Sequence, residues 1–82
     1  MDINRVTDVT SEVSNAVEDM FEYHPWSGQQ KVAGGYVREA LANAVKIILS
    51  NVPACPDRSV AIRKLREARM DCNSAITHGG KY

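Results

Sequence analysis

With 82 residues, of which 44% are hydrophobic and 24% charged, the chain is one domain's worth of foldable sequence and is neither a disordered tail nor a multidomain enzyme. No apolar run approaches the roughly 20 residues that a membrane helix needs and no secretory leader pattern opens the sequence, so a cytoplasmic protein without a membrane partner is expected. Net charge is zero but sorted: up to His24 six carboxylates face Arg5 alone, and beyond it nine lysines and arginines face four carboxylates. Such asymmetry places the acidic segment on a basic body, its own or a neighbour's, or turns that body toward an anion.

From Val6 to Phe21 the apolar residues fall at positions 6, 9, 13, 16, 17 and 20, which is helical spacing. A short amphipathic helix is predicted, with Thr7, Thr10 and Ser11 as candidate caps and Asp8 and Glu12 where a first-turn carboxylate meets the helix dipole. The segment Phe21-Glu22-Tyr23-His24-Pro25-Trp26 follows. Pro25 biases His24 out of helical backbone space, so this joint should run extended. Phe21 and Trp26 read as plugs closing the end of a helical pair. Tyr23 and His24 are open to that role or to display for stacking on a flat ligand.

Ser27, with Gln30 three residues on, reads as a capping box opening a second helix. Its apolar face runs through Val32, Ala33, Tyr36, Val37, Ala40, Leu41, Ala44, Val45, Ile47, Ile48 and Val52. Gly34-Gly35 weakens it by roughly 1 kcal/mol per glycine relative to alanine. Either the helix begins near Tyr36, or the pair admits a close approach by another backbone or a ligand. The prolines at 53 and 56 make a tight turn, with Pro56 suited to the first position of a third helix. Along Asp57 to Thr77 the set Ala61, Leu65, Ala68, Cys72, Ala75 and Ile76 advances by three and four, like a coiled-coil seam. His78-Gly79-Gly80 ends the helix.

These elements predict an all-α fold: a short N-terminal helix followed by a long antiparallel helical hairpin. So small a chain, with an alanine-rich interface, should not stabilise itself alone, and a homo-oligomer is expected.

Catalytic constellations are absent from the pattern. No glycine motif cradles phosphate, His24 has no nucleophile near it in sequence, and Cys55 and Cys72 read as small apolar residues without metal-ligand spacing. No enzyme, cofactor or metal site is expected. Binding chemistry is better represented. Arg38 lies on the second helix, Arg58 in the first turn of the third, and Arg63, Arg66 and Arg69 recur every three residues along it. Guanidinium groups pair with phosphates and rings stack on bases. The bland alternative for each arginine is a solvated face with pairs such as Arg63 to Glu67.

Phe21-x-Tyr23-His24, the helix with Tyr36-Val37-Arg38-Glu39-Ala40, the turn from Pro53 to Pro56, and the block Asp57-Arg58-Ser59-x-Ala61-x-x-Lys64-Leu65-x-Glu67-Ala68-x-Met70-x-x-Asn73-Ser74-Ala75-Ile76 together resemble the helical-hairpin domain of phage anti-CBASS and anti-Thoeris sponge proteins. The likeness spans about residues 21 to 78, dividing the chain into an N-terminal extension, 1–20, and a sponge domain, 21–82. It implies a non-enzymatic phage protein in the host cytoplasm, assembled as a hexamer, that sequesters cyclic dinucleotides or cyclic ADP-ribose-type signals between protomers. By position Tyr23, with Phe21 and His24 beside it, would stack on a base and Arg38 would meet phosphate. Arg69 and His78 complete the candidate ligand-binding set, and some relatives also hold cyclic trinucleotides on a threefold axis. Four departures stand out: the N-terminal extension, Thr77-His78 where relatives carry arginine, the proline usual two places after the histidine shifted here to Pro25, and Cys55 where a serine often caps the last helix. Two other classes stay open: a small helical nucleic-acid-binding regulator using Arg58, Arg63, Arg66 and Arg69, and a purely structural interaction module. No nucleic-acid polymer is the expected partner, because net charge is zero and the seam shares the arginines' helix.

Overall fold

In a computed structural model, residues 10–82 are described; they form three α-helices and, among the described residues, no strand. Helix α1 is Ser11–Phe21, α2 is Gly28–Asn51 and α3 is Pro56–His78. The all-α class expected from the spacing is what the chain adopts. The earlier part of the predicted first helix, with Thr7 and Asp8, lies outside the described residues.

Local chemistry sets each boundary. Thr10 caps α1, its hydroxyl accepting from the Val13 amide at 3.2 Å, and Glu12 sits in the first turn. The helix stops where Glu22 turns extended, three residues before Pro25. Ser27 and Gln30 form the expected reciprocal box, with the Gln30 amide donating to Ser27 Oγ at 3.2 Å and the Ser27 amide donating to Gln30 Oε1 at 2.8 Å. With its start fixed there, α2 runs unbroken through Gly34-Gly35, so it does not begin at Tyr36. Pro56 opens α3, Cys55 gives it no side-chain cap, and Gly79 closes it in the left-handed conformation at φ 61°.

Helices α2 and α3 are the pair in substantial contact. The start of α2 lies against the end of α3: the indole N–H of Trp26 donates to Thr77 Oγ1 at 2.7 Å, and the Gln30 side-chain amide donates to the Ile76 carbonyl at 2.9 Å. Gln30 thus caps one helix and fastens another. At the far end Arg58 donates to the Val52 carbonyl at 3.1 Å across the turn.

Between the helices run half-buried Val37, Leu41, Ala44, Val45 and Ile48, facing Ala61, Ile62, Leu65, Ala68, Cys72 and Ile76. Two seam assignments need correcting. Ala75 is exposed and Ile62 takes part instead, because a helix advances 100° per residue and the seam drifts from a strict repeat. The broad apolar face of α2 also exceeds what α3 covers: Val32, Tyr36, Ile47 and Val52 stay exposed.

No hydrophobic side chain among the described residues is fully buried. The reason is thickness. The Cα positions span 51 × 41 × 16 Å, so the shortest dimension is less than half of either other, as for helices laid side by side. A single layer of helices has no interior.

Candidate functional site

The joint between α1 and α2 divides its rings. Trp26 folds back onto the only buried residue of α2, Gly34, where a Cβ would lie 2.5 Å from the indole Cη2. The glycine therefore serves the close approach of a side chain, not of another backbone. Phe21 does not plug the helix end as predicted; it is 85% exposed, and Tyr23 is 87% exposed. Trp26, anchored by Thr77, already fills that place, so the rings before Pro25 project outward.

Beside Trp26 lies a shallow cleft of about 250 Å³ lined by Trp26, Lys31, Gly34, Gly35, Arg38, Arg69 and Asn73. A second hollow of about 150 Å³ adjoins it, lined by Arg38, Leu41, Ala42, Val45, Leu65, Arg66 and Arg69. Arg38 and Arg69 line both, so the two form one continuous groove between α2 and α3. Four cations border it and no carboxylate does. Among the described residues, none of Lys31, Arg38, Arg66 and Arg69 is within ion-pair distance of a carboxylate, and no pair joins Arg63 to Glu67. Cations with no carboxylate beside them among the described residues, around a groove with an apolar end, set a positive potential there. Over Gly35 a Cβ would meet nothing within 4 Å, so backbone lies open on the groove floor.

A different corner collects the histidines. His24 Nε2 donates to the Asp19 carbonyl at 2.7 Å and lies 3.4 Å from Asp19 Oδ1. His78 meets His24 edge to face, ring centres 5.2 Å apart, with its Nδ1 4.0 Å from Asp19 Oδ2. Tyr82 donates its hydroxyl to Asp19 Oδ2 at 2.7 Å, and Lys81 Nζ is 3.5 Å from the same oxygen. The Tyr82 hydrogen bond, then Lys81 and His24, hold the Asp19 carboxyl below its ordinary value of 3.8 against the opposing effect of desolvation. The same bond raises Tyr82 above its ordinary 10.0. These contacts lay α1 against the end of α3.

Of the six residues expected to bind ligand, the fold brings Arg38 and Arg69 together in the groove and His24 and His78 together at the Asp19 corner. Phe21 and Tyr23 border neither. The sequence reading missed Lys31 and Asn73, although Lys31 stands two turns before Arg38 and Asn73 one turn after Arg69, on the same faces. Thr77 and His78, standing where the resemblance calls for arginine, are engaged by Trp26 and by the Asp19 corner.

No helix among the described residues is long and apolar enough to cross a membrane. Comparison of the chain with protein-family models, with curated proteins and with solved structures returns no match.

Proposed function

We propose that the chain is a non-enzymatic sponge for cyclic oligonucleotide signals, in which copies of the α2–α3 hairpin assemble and enclose a cyclic dinucleotide between them. In this reading the protein acts for a phage in the host cytoplasm and holds the signal intact. The observation that carries it is the groove bordered by Lys31, Arg38, Arg66 and Arg69 without a carboxylate, ending on an apolar patch at Leu41, Val45 and Leu65. Cyclic dinucleotides carry two phosphates between flat bases, and guanidinium forks and rings are the groups that meet them. The two hollows, of about 150 and 250 Å³, together reach only the lower end of the roughly 300–1,000 Å³ of a drug-sized pocket and form a shallow groove, which suits a site that a second copy covers. The exposed Tyr23 and Phe21 are the rings such a copy would bring.

The test is calorimetric titration with a panel of cyclic dinucleotides and trinucleotides, followed by heat denaturation and recovery of the ligand. Saturable binding with intact ligand recovered is expected. Arg38→Glu, placing a carboxylate among the phosphates, should weaken binding by a hundredfold or more, as charge reversal at contact distance is worth several kcal/mol at intermediate dielectric. Unchanged affinity in a folded Arg38→Glu protein, or a hydrolysed ligand, would overturn the reading.

A second reading, an interaction module that binds no small ligand, is favoured by the exposed apolar stripe on α1, with Val13 and Val17 each 45% and Phe21 85% exposed. Assembly without uptake of any cyclic nucleotide would support it.

A further inference from the structure

We propose that Asp19, His24 and His78 form a zinc-class divalent metal site that staples α1 and the aromatic joint to the end of α3. Each of the three offers one ligand atom, and these atoms all lie within 4.8 Å of one another. Two imidazole nitrogens and one carboxylate oxygen are a zinc ligand set, leaving the fourth position for water. Bonds of about 2.0–2.1 Å in tetrahedral geometry set ligand atoms roughly 3.3 Å apart. His24 Nε2 and Asp19 Oδ1 already stand at 3.4 Å, so the first edge of the tetrahedron is built. Closing the other two requires the edges to His78 to shorten by up to about 1.5 Å, given the 4.8 Å bound; its Nδ1 stands 4.0 Å from the other carboxylate oxygen, Oδ2. Its ring meets that of His24 at 79°, and its Nδ1 is the nitrogen on the carboxylate side.

The carboxylate is already oriented for this. Oδ2 accepts from Tyr82, which leaves Oδ1 on the His24 side for the metal; a hydrogen bond to the outer oxygen of a ligating carboxylate fixes its direction. Two groups oppose the metal and both can give way. His24 Nε2 donates to the Asp19 carbonyl; metal binding moves that hydrogen to Nδ1 and turns the ring off the carbonyl, since a bare nitrogen cannot stay 2.7 Å from an oxygen that only accepts. The Lys81 ammonium, 3.5 Å from Oδ2, has a side chain 65% exposed and can swing into water.

The ligands come from α1, from the joint and from the last turn of α3, and His78 is 54 residues from His24 in sequence. That separation hides the site from any spacing motif. By fixing the joint, the metal would hold Phe21 and Tyr23 in one outward orientation. The inference does not depend on nucleotide binding and is tested without nucleotide.

The experiment uses the full chain, stripped with chelator, titrated with zinc chloride in a calorimeter and separately with cobalt(II) while following its visible d–d bands. One metal per chain is expected, with tetrahedral-type cobalt bands and a rise in Tm. His78→Ala and Asp19→Asn should each weaken binding at least tenfold, since even outer partners of metal ligands contribute about 10–100-fold. Lys81→Ala should bind equally well or better, because it removes the competing cation. If His78→Ala lost helical content by circular dichroism, the folded Lys81→Ala and Asp19→Asn chains would still decide the matter. Absence of saturable uptake, or an Asp19→Asn chain that binds zinc like the parent, would overturn the proposal.

Discussion

Gly34 is where a single hydrogen atom decides the packing. The indole of Trp26 occupies the volume that any Cβ would need, and the indole is held there by its bond to Thr77. Alanine favours helix over glycine by about 1 kcal/mol, but overpacking a close contact opposes it by about 1–3 kcal/mol. Gly34→Ala is therefore expected to be neutral to destabilising by about 2 kcal/mol, whereas Gly35→Ala, with open space above it, should stabilise by up to about 1 kcal/mol; urea denaturation of both separates the two glycines. Gly35→Leu, in contrast, would fill the groove floor and should weaken cyclic dinucleotide binding without unfolding the helix, read by calorimetry and circular dichroism. The glycine pair was visible in sequence as a place of close approach. Which partner approaches was not, because Trp26 reaches Gly34 only once the capping box at Ser27 has fixed where α2 starts.

At the scale of elements, the boundaries encoded by local chemistry could be read directly at the Ser27–Gln30 box, at Pro56 opening α3 and at Gly79 closing it, while for α1 Thr10 was one of three candidate caps. Their causes lie within four residues, so no tertiary information is needed. Long-range pairings could not be read. Asp19 meets Tyr82 across 63 residues, and nothing in the spacing of either announces it. The uncapped start of α3 gives one test: Cys55→Ser supplies the missing acceptor at an extended N-cap and should stabilise the fold by about 1 kcal/mol, measured as a higher urea midpoint at constant slope. The docking of α1 gives another. Asp19 is lowered in the folded state, so its contribution is present above its unfolded value of 3.8 and is lost as pH falls through the depressed folded value. Tyr82 is raised, so its contribution is present below 10.0 and is lost as pH climbs through its elevated folded value. Contact between α1 and the C-terminal residues should thus persist across neutral pH and loosen at both acid and alkaline extremes. Tyr82→Phe should remove the alkaline limb, as followed by exchange protection of the α1 amides.

For the whole molecule the question is what replaces an interior. Val13, Val17, Met20 and Phe21 lie at helical spacing on α1 and are all exposed, while Val32, Tyr36 and Ile47 leave a second uncovered stripe on α2. A one-layer sheet of helices buries these only against something else. The acidic balance before His24 and the basic balance after it offer a neighbouring copy complementary charge as well as apolar area. Folding and assembly should then be linked by mass action, with Tm rising as protein concentration rises, which a self-sufficient monomer would not show. Val17→Asp, in the centre of the α1 stripe, is expected to lower the sedimenting mass while touching neither Arg38 nor the groove. Under the proposed function, binding of a cyclic dinucleotide should fall with it, because a pocket shared between copies would be lost when the copies part. An assembly that dissociates yet binds with unchanged affinity would show instead that one copy's groove is sufficient.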